Sequence, residues 1–248
     1  MSTFIAPPAL RRTGVPLVRS AARFHFLAAR RSLDAITGQV GTLVRAATGT
    51  SLDSNGATIT WPHSAARGEV RTVSGATRYG LRMGADDLTW PCDFGLEAAT
   101  FYVEFVQLGA AIASGAGVAY CGRDDQTGDR VSIQGAAANA LVVNLNLTAG
   151  LSTGTFASAV ALNDHVFAVV QITDSGGNMT ARIGGQLNGV DVAWSSAGTA
   201  RARSSAWGSG AKLRANRVGS AGTQNDMWLG AMGWFPGALT AAEIQSRL

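Results

Sequence analysis

The sequence predicts an all-β sandwich preceded by an extended arm and closed by one short helix. Three observations carry that reading. Short apolar, aromatic and β-branched segments recur from Phe24 to Phe235, separated by Gly, Ser, Asn and Asp. Two of them alternate cleanly between a core face and an opposite face, and the only convincing helical pattern is Thr240 to Arg247.

Residues 1–22 mix proline, arginine and isolated apolar residues without a period, which fits an extended arm. Phe4, Ile5, Leu10, Val15 and Leu17 make the arm too apolar to be freely solvated, so it is expected to lie on this chain or a neighbour. Residues 23–248 form the sandwich. Its strands are expected at Phe24 to Leu27, Gly41 to Arg45, Ala57 to Trp61, Tyr79 to Met83, Phe101 to Leu108, Gly117 to Cys121 and Val131 to Gln134. They continue at Leu141 to Leu147, Val166 to Ile172, Met179 to Ile183, Val190 to Trp194, Lys212 to Val218 and Trp228 to Phe235. The clearest alternation puts Phe101, Val103 and Phe105 on one face. In the second, Leu141, Val143, Leu145 and Leu147 oppose Val142, Asn144 and Asn146. Gly109 to Gly117 is biased enough to suggest a mobile loop or a close backbone contact. The final helix has Thr240 to cap it and Glu243 three residues on, a capping box.

The 248 residues are 46% apolar, enough for a real core, and 15% charged, below the usual figure of about 25%. A surface rich in Ser, Thr, Asn, Gln, Gly and Ala suits packing against other subunits. Six arginines and no acid lie in residues 1–31, against 14 basic and 16 acidic residues in 32–248, so the basic character belongs to the arm. The net charge of +4 is too modest to argue nucleic-acid binding. No run of 18 apolar residues calls for a membrane, and the N-terminus lacks the apolar stretch of a signal peptide. Cys92 and Cys121 make no disulfide framework and read as free thiols.

Motifs for chemistry are sparse. His25, His63 and His165 have no partner at metal-ligand spacing, and there is no phosphate loop. Glu104 faces away from Phe101, Val103 and Phe105, but Val106 stands where a second acid of a glycosidase pair would fall, so Glu104 reads as solvated. Asp124, Asp125 and Asp129 could offer oxygens to calcium, yet a hairpin tip accounts for them without metal. Trp228 and Trp234, six apart, share strand parity and read as core. Trp90 and Trp207 sit in loop-like contexts and are the candidates for sugar stacking. No cofactor and no enzyme activity are expected.

Lys212 to Ser220, Asp226 to Phe235 and Gly237 to Ile244 resemble the closing strands and helix of concanavalin A-like (laminin G-like) jelly rolls. The matching features are a strand ending in Gly219-Ser220, the pattern Trp228-Leu229-Gly230-Ala231-Met232-Gly233 and the helix Leu239-Thr240-Ala241-Ala242-Glu243-Ile244. Phe24-His25-Phe26-Leu27, Leu33-Asp34 and Leu43 to Gly56 are similar to a leader in tailed-bacteriophage structural proteins. Tyr79-Gly80-Leu81-Arg82 matches a later step of it, whereas Ala47 and Trp61-Pro62-His63 depart from it. The resemblance implies a virion component on a jelly-roll sandwich, with capsid decoration or a head fibre as the expected role. Arg11, Arg12, Arg19 and Arg23 would anchor the arm to other virion proteins, and a homo-oligomer, for instance a trimer at a capsid lattice point, is compatible. The alternatives are a tail adaptor or tail-fibre receptor-binding protein, or a carbohydrate-binding module contacting a host-surface glycan through Trp90, Trp207 and the acidic loop.

Overall fold

The computed structural model describes strand backbones at 24–29, 32–37, 44–45, 50–52 and 58–60, then residues 68–245 apart from 84–86, 93–95, 110, 124, 204–209 and 220–221. The arm of residues 1–22 and the following Arg23 lie outside the described residues.

The first strands are β1 (Phe24–Ala29), β2 (Ser32–Thr37), β3 (Val44–Arg45), β4 (Thr50–Leu52), β5 (Thr58–Thr60), β6 (Gly68–Val73), β7 (Ala76–Arg82) and β8 (Leu88–Pro91). The central ones are β9 (Ala99–Gln107), β10 (Gly117–Arg123), β11 (Arg130–Gly135), β12 (Leu141–Leu147), β13 (Gly150–Thr155), β14 (His165–Ser175) and β15 (Asn178–Leu187). β16 (Val190–Val192), β17 (Arg201–Ala202), β18 (Ala211–Ala215), β19 (Met227–Pro236) and helix α1 (Ala241–Gln245) follow. The strands form two antiparallel sheets. The larger runs β16-β15-β14-β9-β19-β1-β2-β3, with β17 beside β15 and the β6–β7 hairpin joined to β19; the smaller runs β13-β12-β11-β10-β18-β8-β5-β4. This is the predicted jelly-roll sandwich.

Alternation explains how the sheets meet. Phe101, Val103 and Phe105 of β9, with Val166, Ala168, Val170 and Ile172 of β14, pack against Leu141, Val143 and Leu145 of β12 and Leu213 of β18 in one buried core. The opposite face of the larger sheet is covered as well. Ala241 and Ile244 of α1 seat on Tyr102, Phe167, Val169 and Phe235, with Tyr102 stacked on Phe167 at 5.5 Å. The expected capping box holds α1: the Thr240 amide donates to Glu243 Oε2 at 2.7 Å, and the Glu243 amide donates to Thr240 Oγ1 at 3.2 Å.

The expected shared parity of Trp228 and Trp234 is corrected by a register shift between Leu229 and Ala231. The extra residue reverses the pleat. Trp234 therefore enters the core between the sheets, while Trp228 lies on the outer face with Val73 and Val106 beneath the β6–β7 hairpin. Both indoles are fully buried. The Gly-rich stretch before β10 makes a close backbone contact, since a Cβ on Gly117 would lie 2.4 Å from the Arg217 carbonyl carbon. Cys92 and Cys121 are free thiols with their sulfurs 3.6 Å apart. Burial pushes the Cys121 thiol well above its ordinary range, and its contact with Cys92 adds to this.

Candidate functional site

The strand registers assemble rows of polar side chains on the outward face of the smaller sheet. In β12 the leucines and Val143 point into the core, so Val142, Asn144 and Asn146 point out, each half-buried. Pairing extends this into rows. Thr89, Arg214, Tyr120, Ser132, Asn144 and Thr153 lie side by side across β8, β18, β10, β11, β12 and β13. A second row holds Lys212, Gly122, Arg130, Asn146 and Leu151, and a third holds Gln134, Val142 and Thr155.

These rows contain hydroxyls, carboxamides and cations but no carboxylate. Arg214 is committed: its Nη1 donates to Asp87 Oδ2 at 2.6 Å and to Thr89 Oγ1 at 2.9 Å. Ser132 donates to Gln134 Oε1 at 3.1 Å. Tyr120 is fully buried and its hydroxyl donates to the Arg123 carbonyl. Glycine is required at 122, because a Cβ there would fall 2.7 Å from the Tyr120 hydroxyl and 2.5 Å from Arg130 Cβ. Tyr120 thus forms a floor rather than an exposed stacking ring. The carboxamides of Asn144 and Asn146 on β12 and the Lys212 ammonium on β18, three strands away, have no protein partner among the described residues, and Leu151 beside Asn146 is 41% exposed. Free amides and ammonium groups next to a small apolar surface suit a polyhydroxylated ligand, because each can exchange its water for a ligand hydroxyl.

A second cluster lies on the outer face of the larger sheet, under the β6–β7 hairpin. Glu104, 3% exposed, accepts from Arg78 Nη1 at 2.7 Å and lies 2.9 Å from His165 Nε2. His165 Nδ1 is 3.1 Å from the Ser74 hydroxyl. Glu104 is thus buried and paired, in contrast to the solvated residue expected from the sequence. Its neighbour Tyr102 has a phenol held well above its ordinary range, first by burial and then by the Glu104 charge.

The remaining sequence candidates are not brought to one place. Trp90 lies on β8 in register with Leu213, not in a loop, and Trp207 and Asp124 lie outside the described residues. Asp125 is exposed and binds Arg123, the Thr127 amide and the Thr127 hydroxyl, which hold its carboxyl well below the usual carboxylate range. Asp129 is buried, accepting from the Thr148 amide at 2.8 Å and the Thr148 hydroxyl at 3.2 Å. Both acids therefore do turn-building work. Among the described residues no group of three His, Cys, Asp or Glu side chains is placed to hold a metal. The sequence did not single out Trp194. It is a half-buried indole lying on Gly184, with the Arg182 guanidinium 4.8 Å from its ring centre.

No known family signature and no curated relative matches the chain. Solved structures do resemble it in fold. A Trypanosoma rangeli sialidase superposes with a TM-score of 0.54 at 11% identity, over 99% of this chain and 35% of that one. Domain 4 of AbnA, a GH43 extracellular arabinanase from Geobacillus stearothermophilus, solved with arabinotriose, gives 0.51 at 14% identity, over 92% and 99% of the two chains. The receptor binding domain of botulinum neurotoxin type G gives 0.50 at 16% identity, over 92% of this chain and 51% of that one. The chain thus spans about half of the toxin domain and about a third of the sialidase. At these identities the likeness shows a β-sandwich fold and nothing finer.

Proposed function

We propose that the protein is a glycan-binding module whose ligand lies across β18, β10, β11, β12 and β13. The observation that carries this reading is that Asn146, Arg130 and Lys212 share one row with Asn144 in the next, and that the two carboxamides and the ammonium group have no protein partner among the described residues. Domain 4 of AbnA, of similar fold and with arabinotriose bound, supports it by analogy only. Arg130 and Lys212, with no acid in their rows, favour a glycan carrying carboxylate or sulfate groups over a neutral one.

The test is a glycan array probed with the full chain and with the Asn144→Ala/Asn146→Ala double variant. Both side chains stand on the outer face, so the variant should fold with an unchanged melting temperature. Acidic oligosaccharides are expected to bind the parent chain, and the variant should bind them at least about tenfold more weakly, the loss of roughly one well-made hydrogen bond or two weak ones. Equal binding by both proteins would remove the site from this face. Anchoring to a virion through Arg11, Arg12, Arg19 and Arg23 is a separate proposal. It rests on the composition of the arm and the bacteriophage-like leader, and cryo-EM of the assembly would locate the arm on a neighbouring subunit or leave it on its own sandwich.

A further inference from the structure

Ser74, His165 and Glu104 come from the β6–β7 turn, the start of β14 and the middle of β9, and they form one continuous hydrogen-bonded line. Facing the Arg78 guanidinium, the Glu104 carboxylate acts as an acceptor. The contact at His165 Nε2 must then be an N–H donor. In the neutral imidazole this leaves Nδ1 as the bare nitrogen, and Nδ1 is the atom 3.1 Å from the Ser74 oxygen. The line therefore orients a base against a hydroxyl, and its two inner members are almost fully buried while Ser74 is exposed.

The surroundings hold this geometry in place. The imidazole sits on a strand whose backbone is tied down, since the His165 amide donates to Asn188 Oδ1 at 2.9 Å and the Asn188 amide donates to the His165 carbonyl at 2.7 Å. Gly189, next in that turn, approaches Ser74 so closely that a Cβ there would lie 3.3 Å from the Ser74 oxygen. Ser74 itself takes a left-handed backbone with φ of +47°. A β-branched or bulky residue is disfavoured there, and with Gly75 at φ of +79° the pair forms the two-residue turn that joins β6 to β7.

We propose that Ser74 is a nucleophile for acyl transfer from short-chain carboxylic esters, with His165 as its general base. The Ser74 oxygen adds to the ester carbonyl as its proton passes to His165 Nδ1. Collapse of the adduct breaks the bond to the alcohol, which leaves with that proton, and Ser74 stays acylated. Water then attacks the acyl group, giving its proton to His165, and releases the carboxylic acid with the Ser74 hydroxyl restored. Ser74 and His165 are the catalytic residues. Glu104 and Arg78 are positioning residues that act through the imidazole. This activity is independent of the glycan-binding face on the other sheet.

The experiment uses the full chain with a fluorophosphonate probe and with p-nitrophenyl acetate. Peptide mapping should place the phosphonate on Ser74 and not on Ser114, an exposed turn serine with no histidine bonded to it among the described residues. Ser74→Ala, an exposed substitution that leaves the core untouched, should abolish both labelling and ester turnover. His165→Gln should lower the turnover rate by about a hundredfold or more. Glu104→Gln should lower kcat with KM unchanged, because it releases the orientation of the imidazole and touches no substrate. Labelling spread equally over exposed serines, or turnover unaltered in Ser74→Ala, would overturn the proposal even if the buried variants failed to fold.

Discussion

Replacing Trp234 by alanine is expected to cost about 3–5 kcal/mol of stability, among the largest truncation effects this fold allows. Trp234 is fully buried in the space between the two sheets and stands 5.5 Å from the Phe101 ring. It belongs to β19, which pairs with β9 on one side and with β1 on the other, so its neighbours are held by two ladders and cannot collapse into the gap. The cavity is therefore expected to persist, and the transfer and cavity terms add. Urea denaturation would show a lower midpoint with the slope unchanged. A loss below about 1.5 kcal/mol would mean that the core closes around the missing indole and that the sheets are not rigid at this point.

The second large effect is expected at Gly185, where alanine should lower stability by at least about 3 kcal/mol or prevent folding. Two costs act together. Its φ of +135° is a conformation that residues with a Cβ rarely adopt, and a Cβ there would fall 1.9 Å from the Phe167 carbonyl oxygen. That oxygen belongs to the backbone of β14, which pairs with β15 over ten residue positions, so relief would require the ladder itself to shift. Gly75→Ala supplies the comparison: φ is +79° but nothing lies within 4 Å, so only the left-handed cost of about 1–2 kcal/mol applies. Equal losses in the two variants would show that the close approach of β14 and β15 is not as described.

Strands whose side chains alternate were legible in the sequence, and Leu141–Leu147 runs over the residues its pattern predicts. Strands without that signal were not. Gly150–Thr155 reads Gly-Leu-Ser-Thr-Gly-Thr, a composition typical of a turn, and becomes a strand because β12 offers it a ladder of six paired positions. Ser32–Thr37, Thr50–Leu52 and Gly68–Val73 carry no such signal either and are strands through the neighbouring arm of their own hairpins, whereas Leu88–Pro91 and Arg201–Ala202 pair with β18 and β15, farther away in the chain. The bulge after Leu229 had a visible cue in Gly230, but the resulting reversal of parity depends on how β19 lies against β9.

The polar face was half legible. Asn144 and Asn146 stood out as the polar side of an alternating strand, whereas Arg130 and Lys212 join them only through the registers of β10, β11 and β18. The alternation puts Glu104 on the correct face of β9, but the cover over that face comes from a hairpin whose Arg78 lies 26 residues before it and from a helix near residue 244. No local pattern can announce such burial. The line from Ser74 to Glu104 spans sequence separations of 91 and 61 residues, so only the folded topology brings its members together.

The claim that the outer face of the smaller sheet binds glycan is tested most directly by titrating an array-selected acidic oligosaccharide into isotopically labelled protein and mapping amide shift changes by NMR. The expected changes cluster at Arg130, Asn144, Asn146, Thr153 and Lys212, with Phe101, Val169 and Trp234 unmoved. Changes centred instead on Trp194 and α1, or an absence of saturable changes at any acidic oligosaccharide, would contradict the assignment.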